Sequence, residues 1–251
     1  MTPTEDNSIQ EAIFEIRWEF PPEEQRATQD YYIMIGRMYD MLNVNGKYPI
    51  YEPLPSVSVP NLFANYIVQH RFRIDKDKWP LIQMGPQIIT VNDTLGYNWE
   101  DFEPRANQAY ETLTKIYTET GYHLKINNLI LRYINAIPFN FKEKKSLRFL
   151  KTEMKTTVNF DPKLFETTTV EKIPQNFNCR FSFRTLEPEG ALNFGFYRGK
   201  INKADALIWE TIVESGLDDL PASLDIKLWL GSAHELAKKW YETLKGTSVE
   251  V

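Results

Sequence analysis

Arginines recur at alternate positions in this chain: Arg71 and Arg73, then Arg180 and Arg184 on either side of Ser182, with Arg198 and Lys200 in a third stretch. In extended backbone alternate side chains share one face. If these stretches are neighbouring strands, their cations line one side of a sheet, a surface suited to phosphate, nucleic acid or an acidic protein. The alternative is a ladder in which Glu11, Glu15 and Glu19 neutralise Arg17, Arg71 and Arg184 across strands. A second group is Arg132, Asn135 and His234. Arg132 and Asn135 are the strongly polar side chains in the otherwise apolar run 129–138. A buried guanidinium needs a carboxylate or several carbonyls, because an unpaired buried charge is costly. In a cavity between sheet and helices, these three would fix the orientation of a small ligand. Otherwise they are satisfied polar groups of the core.

Other chemistries lack their spacing. His234-Glu235 begins the pattern of a zinc protease helix, but the second histidine would fall at position 238, which is Lys238. His70, His123 and His234 show no ligand spacing, so no metal site is expected. Cys179, the single cysteine, opens an alternating stretch with Phe181 and Phe183, where a buried inert thiol is expected. It excludes an internal disulfide and a cysteine-based zinc cluster. No serine sits in a nucleophile elbow, and no glycine-rich loop precedes a helix to cradle phosphate. Carboxylate pairs drawn from Glu15, Glu19, Glu210 and Glu214 carry no signal among 34 acidic residues. No catalytic residue and no cofactor is therefore expected.

Composition bounds the class. The chain has 251 residues, 42% of them hydrophobic and 25% charged, enough for one large domain or two small ones packed together. No apolar run approaches the roughly 20 residues of a membrane-crossing helix. Residues 1–8 are polar and acidic, without the basic and apolar parts of a signal peptide. With the lone cysteine, this favours a cytoplasmic setting. The net charge of -5 disfavours nucleic acid as a partner. The charge is uneven, however: 142–155 carries Lys142, Lys144, Lys145, Arg148, Lys151 and Lys155 against Glu143 and Glu153.

The elements that must position these residues follow from periodicity. Residues 11–20 alternate, with Ala12, Phe14, Ile16, Trp18 and Phe20 on one face, and Pro21-Pro22 stops that strand. Thr28 or Asp30 could cap a helix over 31–42. The prolines of 48–61 favour an extended connector. Residues 66–74 and 81–91 read as two strands, the second with a bulge or kink at Gly85-Pro86. A helix from about 98 to 119 ends at Gly121. The run 127–138 is apolar on both sides, which marks a central strand. A short helix over 144–154, a hairpin of 178–186 with 191–199, a strand over 205–214 and a closing helix over 223–245 complete the order, with Pro221 before that helix and Gly246 after it. Residues 159–174 are ambiguous.

The order is strand, helix, strands, helix, twice over. It predicts an α+β fold: an antiparallel sheet with helices packed on one face, with pseudo-equivalent halves 9–121 and 122–251 as one arrangement of a single globular domain. Four stretches carry a resemblance. They are Ala12-Ile13-Phe14-Glu15-Ile16-Arg17; Gln83-Met84-Gly85-Pro86 with Tyr97-Asn98-Trp99-Glu100-Asp101-Phe102; Leu131-Arg132-Tyr133-Ile134-Asn135; and Trp229-Leu230-Gly231-Ser232-Ala233-His234-Glu235 before Trp240. Together the chain resembles a sporadically distributed, uncharacterised bacterial family of about this length, defined by sequence alone. The resemblance transfers no catalytic residue. Its patchy distribution implies horizontally exchanged loci such as antiviral defence or toxin–antitoxin modules. The expectation is a non-enzymatic cytoplasmic binding or adaptor protein acting on another protein. The rival is a ligand-binding or enzymatic domain with a cavity between sheet and helices.

Overall fold

The alternation at the start of the chain becomes β1 (Ile9–Glu19), with Ala12, Phe14, Ile16 and Trp18 all fully buried on one face. The computed structural model describes residues 9–19, 31–60, 63–94, 96–141, 146–216, 220 and 225–245. Phe20, Pro21, Pro22, Thr28, Asp30, Pro221, Ser223 and Gly246 lie outside these residues, as do Lys142, Lys144 and Lys145 of the basic run.

Apolar spacing sets the helices. In α1 (Tyr31–Leu42), Met34, Ile35, Met38 and Leu42 are buried. In α2 (Trp99–Thr120), the buried stripe is Phe102, Ala106, Ala109, Leu113, Ile116 and Tyr117. The Asn98 side chain accepts from the Asp101 amide at 2.8 Å, and Gly121 ends the helix in the left-handed conformation, φ 75°. After the short helices α3 (Ser146–Glu153) and α4 (Lys163–Glu166), α5 (Ile226–Lys245) buries Ile226, Trp229, Leu230, Ala233, Ala237 and Leu244. These stripes meet β1: Trp18 donates its indole N–H to the Tyr117 hydroxyl at 2.5 Å, and Phe14 faces Trp229 with ring centroids 6.5 Å apart. One core therefore lies between α1, α2 and α5 and a single face of the sheet.

The strands after β1 are β2 (Ile50–Pro53), β3 (His70–Arg73), β4 (Leu81–Gly85), β5 (Ile88–Asp93), β6 (Lys125–Pro138), β7 (Asn178–Leu186), β8 (Glu189–Ile201) and β9 (Ala204–Glu214). They form one sheet of nine in the order β2-β3-β4-β5-β1-β6-β9-β8-β7, and every ladder is antiparallel. The first strand of each half returns to pair with the last: β1 with β5, and β6 with β9. The two first strands then pair with each other along their length. Sequence order and sheet order thus show the repeated plan that the periodicity predicts, in an α+β fold.

Three local expectations need correction. Residues 81–91 are not one kinked strand but the hairpin β4–β5, turned at Pro86 and Gln87. Proline first and a positive φ (64° at Gln87) second is the pattern of a type II turn. Of the expected strand over 66–74 only His70–Arg73 is β3, because the backbone of 66–69 crosses the end of β4–β5: the Gln69 amide donates to the Met84 carbonyl, and the Tyr66 amide to the Pro86 carbonyl. A Cβ on Gly85 would collide with the Ile67 carbonyl, so only glycine permits this crossing. Finally, the proline-rich connector is not merely a path; its residues 50–53 are the edge strand β2.

Candidate functional site

With the helices on the Phe14 face, the register assigns every other strand residue to the opposite, helix-free face. Two rows cross all nine strands there. One runs Ile50, Arg73, Leu81, Asn92, Ile13, Arg132, Ile212, Asn193, Ser182; the next runs Glu52, Arg71, Gln83, Thr90, Glu15, Ile130, Glu214, Ala191, Arg184. Arg71, Arg73, Arg180 and Arg184 therefore do share a face. They do not share a patch: β3 and β7 are the second and ninth strands, seven steps apart, or about 34 Å along the sheet at roughly 4.8 Å per step.

Arg198 is a further correction. Tyr197, not Arg198, stands on the face of Arg180, and Arg198 turns to the helix side opposite Leu207. There it donates to Asp205 at 2.6 Å and to the Gln175 carbonyl at 2.8 Å, with its guanidinium over the Phe141 ring. Lys200, opposite Asp205, lies on the same wrong side.

The two ends of the open face differ in their charge balance. At the β3 end, Glu52 accepts from Arg73 at 3.0 Å and from Arg71 at 3.3 Å. Arg73 also donates to the Lys78 carbonyl at 3.0 Å, and Arg71 to Gln83 at 3.2 Å. The hydrogen bond from Arg73, with help from Arg71, holds the Glu52 carboxyl below its usual range. Beyond them Thr90, Gln83 and Asn92 are joined by hydrogen bonds, and Asn92 donates to Glu11 at 2.9 Å. The expected Arg–Glu ladder therefore exists with other partners. Arg71 uses Glu52, Arg184 uses Glu189, and Arg17 pairs with Glu15 along its own strand rather than across.

At the β7 end the face forms a groove of about 380 Å³, lined by Arg17, Arg132, Arg180, Ser182, Asn193, Glu210 and Glu214 over Ile130 and Ile212. Arg132 is half-buried on β6, between Ile13 and Ile212 in its row. Among the described residues it has no hydrogen bond and no ion pair. The neighbouring carboxylates are held by neutral donors: Glu214 accepts from Asn193 at 2.7 Å, and Glu210 from the Tyr197 hydroxyl at 2.9 Å. Burial, and next the bond to Glu210, pushes Tyr197 up to about 12. Arg180 stands 4.0 Å from Glu210 with its side chain 70% exposed, and Arg184 is 77% exposed. Both belong to β7, the terminal strand of the sheet, where Phe181 and Phe183 are also exposed on the helix side. That edge position is why Cys179 is only half-buried, against the expectation of a buried thiol.

Arg132 was expected to point inward with Asn135 and His234; the structure separates it from them. Asn135, on the other face of β6, and His234, on α5, line a cavity of about 100 Å³ with Ile9, Tyr97, Tyr133, Thr211, Ala237, Lys238 and Tyr241. The Tyr133 hydroxyl lies 2.9 Å from that of Tyr97 and 2.8 Å from His234 Nδ1. Trp99 stacks on the His234 ring, 3.8 Å between centroids and 3° from parallel. Burial lowers His234 to about 4, so the imidazole is neutral at pH 7. Burial raises Tyr97 and Tyr133, so both stay protonated. Tyr97, Tyr133 and Thr211 were not singled out from sequence, where tyrosine at a core position reads as packing. Among the described residues, no group of three or more His, Cys, Asp or Glu side chains is placed to hold a metal, and no helix is long and apolar enough to cross a membrane.

No protein-family model matches the chain, and none of the curated proteins does. Among solved structures the chain is similar to DynU16, a protein of the dynemicin biosynthetic locus, at 12% identity and a TM-score of 0.28, over 70% of this chain and 71% of that one.

Proposed function

We propose that this chain is a non-catalytic binding protein whose protein partner presents an acidic, extended segment to the β7 end of the open sheet face. The observation that carries the reading is Arg132: a half-buried guanidinium at the floor of a groove, with no carboxylate or carbonyl of its own among the described residues. A charge so placed loses hydration without regaining it, and a partner carboxylate restores the balance. Arg180 and Arg184 at the rim would steer such a segment, and the backbone of β7, which pairs on one side only with β8, offers a strand edge for it to extend. A cytoplasmic adaptor of a horizontally exchanged defence or toxin–antitoxin locus is the setting that the family resemblance adds to this proposal.

Proteins crosslinked to the chain in its native host, purified and titrated back against it, test the reading. Arg132→Leu should weaken the interaction roughly thirtyfold while the protein stays folded. Unchanged affinity in Arg132→Leu, or turnover of a metabolite or nucleic acid by the purified chain alone, would end it.

A further inference from the structure

The cavity on the helix side of the same strands is a separate matter from the groove. Thr211 and Tyr133 are cross-strand neighbours on β9 and β6, and both turn into it. Thr211 is 2% exposed, and its hydroxyl has no hydrogen-bond partner among the described residues. Buried polar atoms are nearly always satisfied, by protein, by ordered water or by a ligand. Beside Asn135, His234 and, at the mouth, Lys238, the remaining wall is hydrocarbon and ring: Ile9, Ala237, Tyr241 and the faces of Tyr97 and Tyr133. Water alone leaves the hydrocarbon side of the wall uncovered, whereas a ring covers it, as benzene does in a closed apolar cavity of about 150 Å³; this cavity, of about 100 Å³, is smaller but open on one side. The cavity opens beside Lys238, an exposed residue on α5, so a ring can enter without unfolding the sheet.

We propose that this cavity binds a small uncharged molecule, a ring of about five or six atoms bearing one hydroxyl or carbonyl group, with Thr211 as its hydrogen-bond partner. The polar groups are confined to one side of the wall, so the ligand's polar end lies toward Thr211 and Asn135 and its ring toward Tyr241 and Ala237. Apart from Lys238 at the mouth, the wall is neutral, and this sets the charge of the guest. With His234 uncharged and both tyrosines protonated, nothing deep in the cavity balances a carboxylate. Trp99, stacked on the outer face of His234, fixes the ring that closes the polar side.

The test uses phenol, benzene and benzoate as probes, followed by NMR through the methyl signals of Ile9, which lines the cavity and is untouched by the variants. Phenol should bind saturably, and more tightly than benzene or benzoate. Thr211→Val keeps the shape and removes the hydroxyl; it should weaken phenol about tenfold, the effect of one hydrogen bond, and leave benzene unchanged. It should also raise the melting temperature of the ligand-free protein, because an unpartnered buried hydroxyl is gone. Ala237→Leu fills the cavity and should abolish binding of phenol while the protein remains folded. No saturable shift with phenol, retention of phenol binding in Ala237→Leu, or equal affinities for phenol in wild type and Thr211→Val would overturn the proposal.

Discussion

The open face of the sheet carries arginines at both ends, and the ends have opposite characters. Around β3, Glu52 stands between Arg71 and Arg73 and pairs with both, and the polar side chains of β4 and β5 continue the network to Glu11. Around β7, Arg132 has no counterion among the described residues, and the carboxylates that line its groove accept from Asn193 and Tyr197. One residue type on one face thus serves as a structural ladder at one end and an unfilled socket at the other. Alternation of arginines says which face they share. Only the neighbouring strands decide whether that face is already neutralised.

The comparison can be broken first where the β3 end is clamped. Gly85→Ala drives a methyl group into the Ile67 backbone and should cost about 3 kcal/mol in urea denaturation. Next comes the ion pair itself. Glu52→Ala leaves Arg73, whose side chain is 7% exposed, without a carboxylate and should cost about 2 kcal/mol. Arg132→Leu should change stability by less than about 0.5 kcal/mol, or increase it, yet weaken the partner complex by about 2 kcal/mol, roughly thirtyfold. If both arginine-site variants destabilise the fold alike, the proposed division of roles fails.

Acid sharpens the contrast further. Glu52 is held below the usual 4.5 of a glutamate, so its contribution is present above pH 4.5 and is lost as pH falls through the lowered value. The helix side of the sheet also holds two neutral imidazoles, His70 on β3 and His234 over β6, both lowered to about 4 from 6.5 by burial. For these the unfolded chain binds protons first. Their stabilisation is complete above pH 6.5 and declines as pH falls from 6.5 to 4. Urea midpoints across pH 3 to 7 should therefore fall in two stages, and Glu52→Gln should flatten the more acidic one. The smallest effect belongs to Arg184→Glu. It should leave stability within about 0.5 kcal/mol and chiefly slow association with the partner, an effect that salt suppresses.

Much of the architecture was legible. The alternation at Ala12, Phe14, Ile16 and Trp18, the helical stripes and the glycine after α2 specify their elements locally, since period and capping are properties of short segments. The β4–β5 hairpin was missed because Gly85-Pro86 serves equally for a bulge and for a turn; the positive φ at Gln87 is a product of the fold. Arg198 was placed on the wrong face because its parity depends on the pairing of β8 with β7 and β9, which no local pattern reveals. Arg132 and Asn135 are a different case. Residues three apart on one strand face opposite ways, so their separation follows from spacing alone. Tyr97, Tyr133 and Thr211 meet only through tertiary packing, and nothing in their local sequence marks them.

The β1–β6 ladder has a consequence for how the molecule is made. β1 emerges first from the ribosome, but its two partners, β5 and β6, come much later. Until then the stripe from Ala12 to Trp18 has no sheet to join. When β5 and α2 arrive, the leading half can close on itself with one raw flank, and that flank is β1. The trailing half then has a template waiting, so synthesis and assembly proceed in the same direction, and β1, made before the other eight strands, has both sides occupied only when β6 arrives.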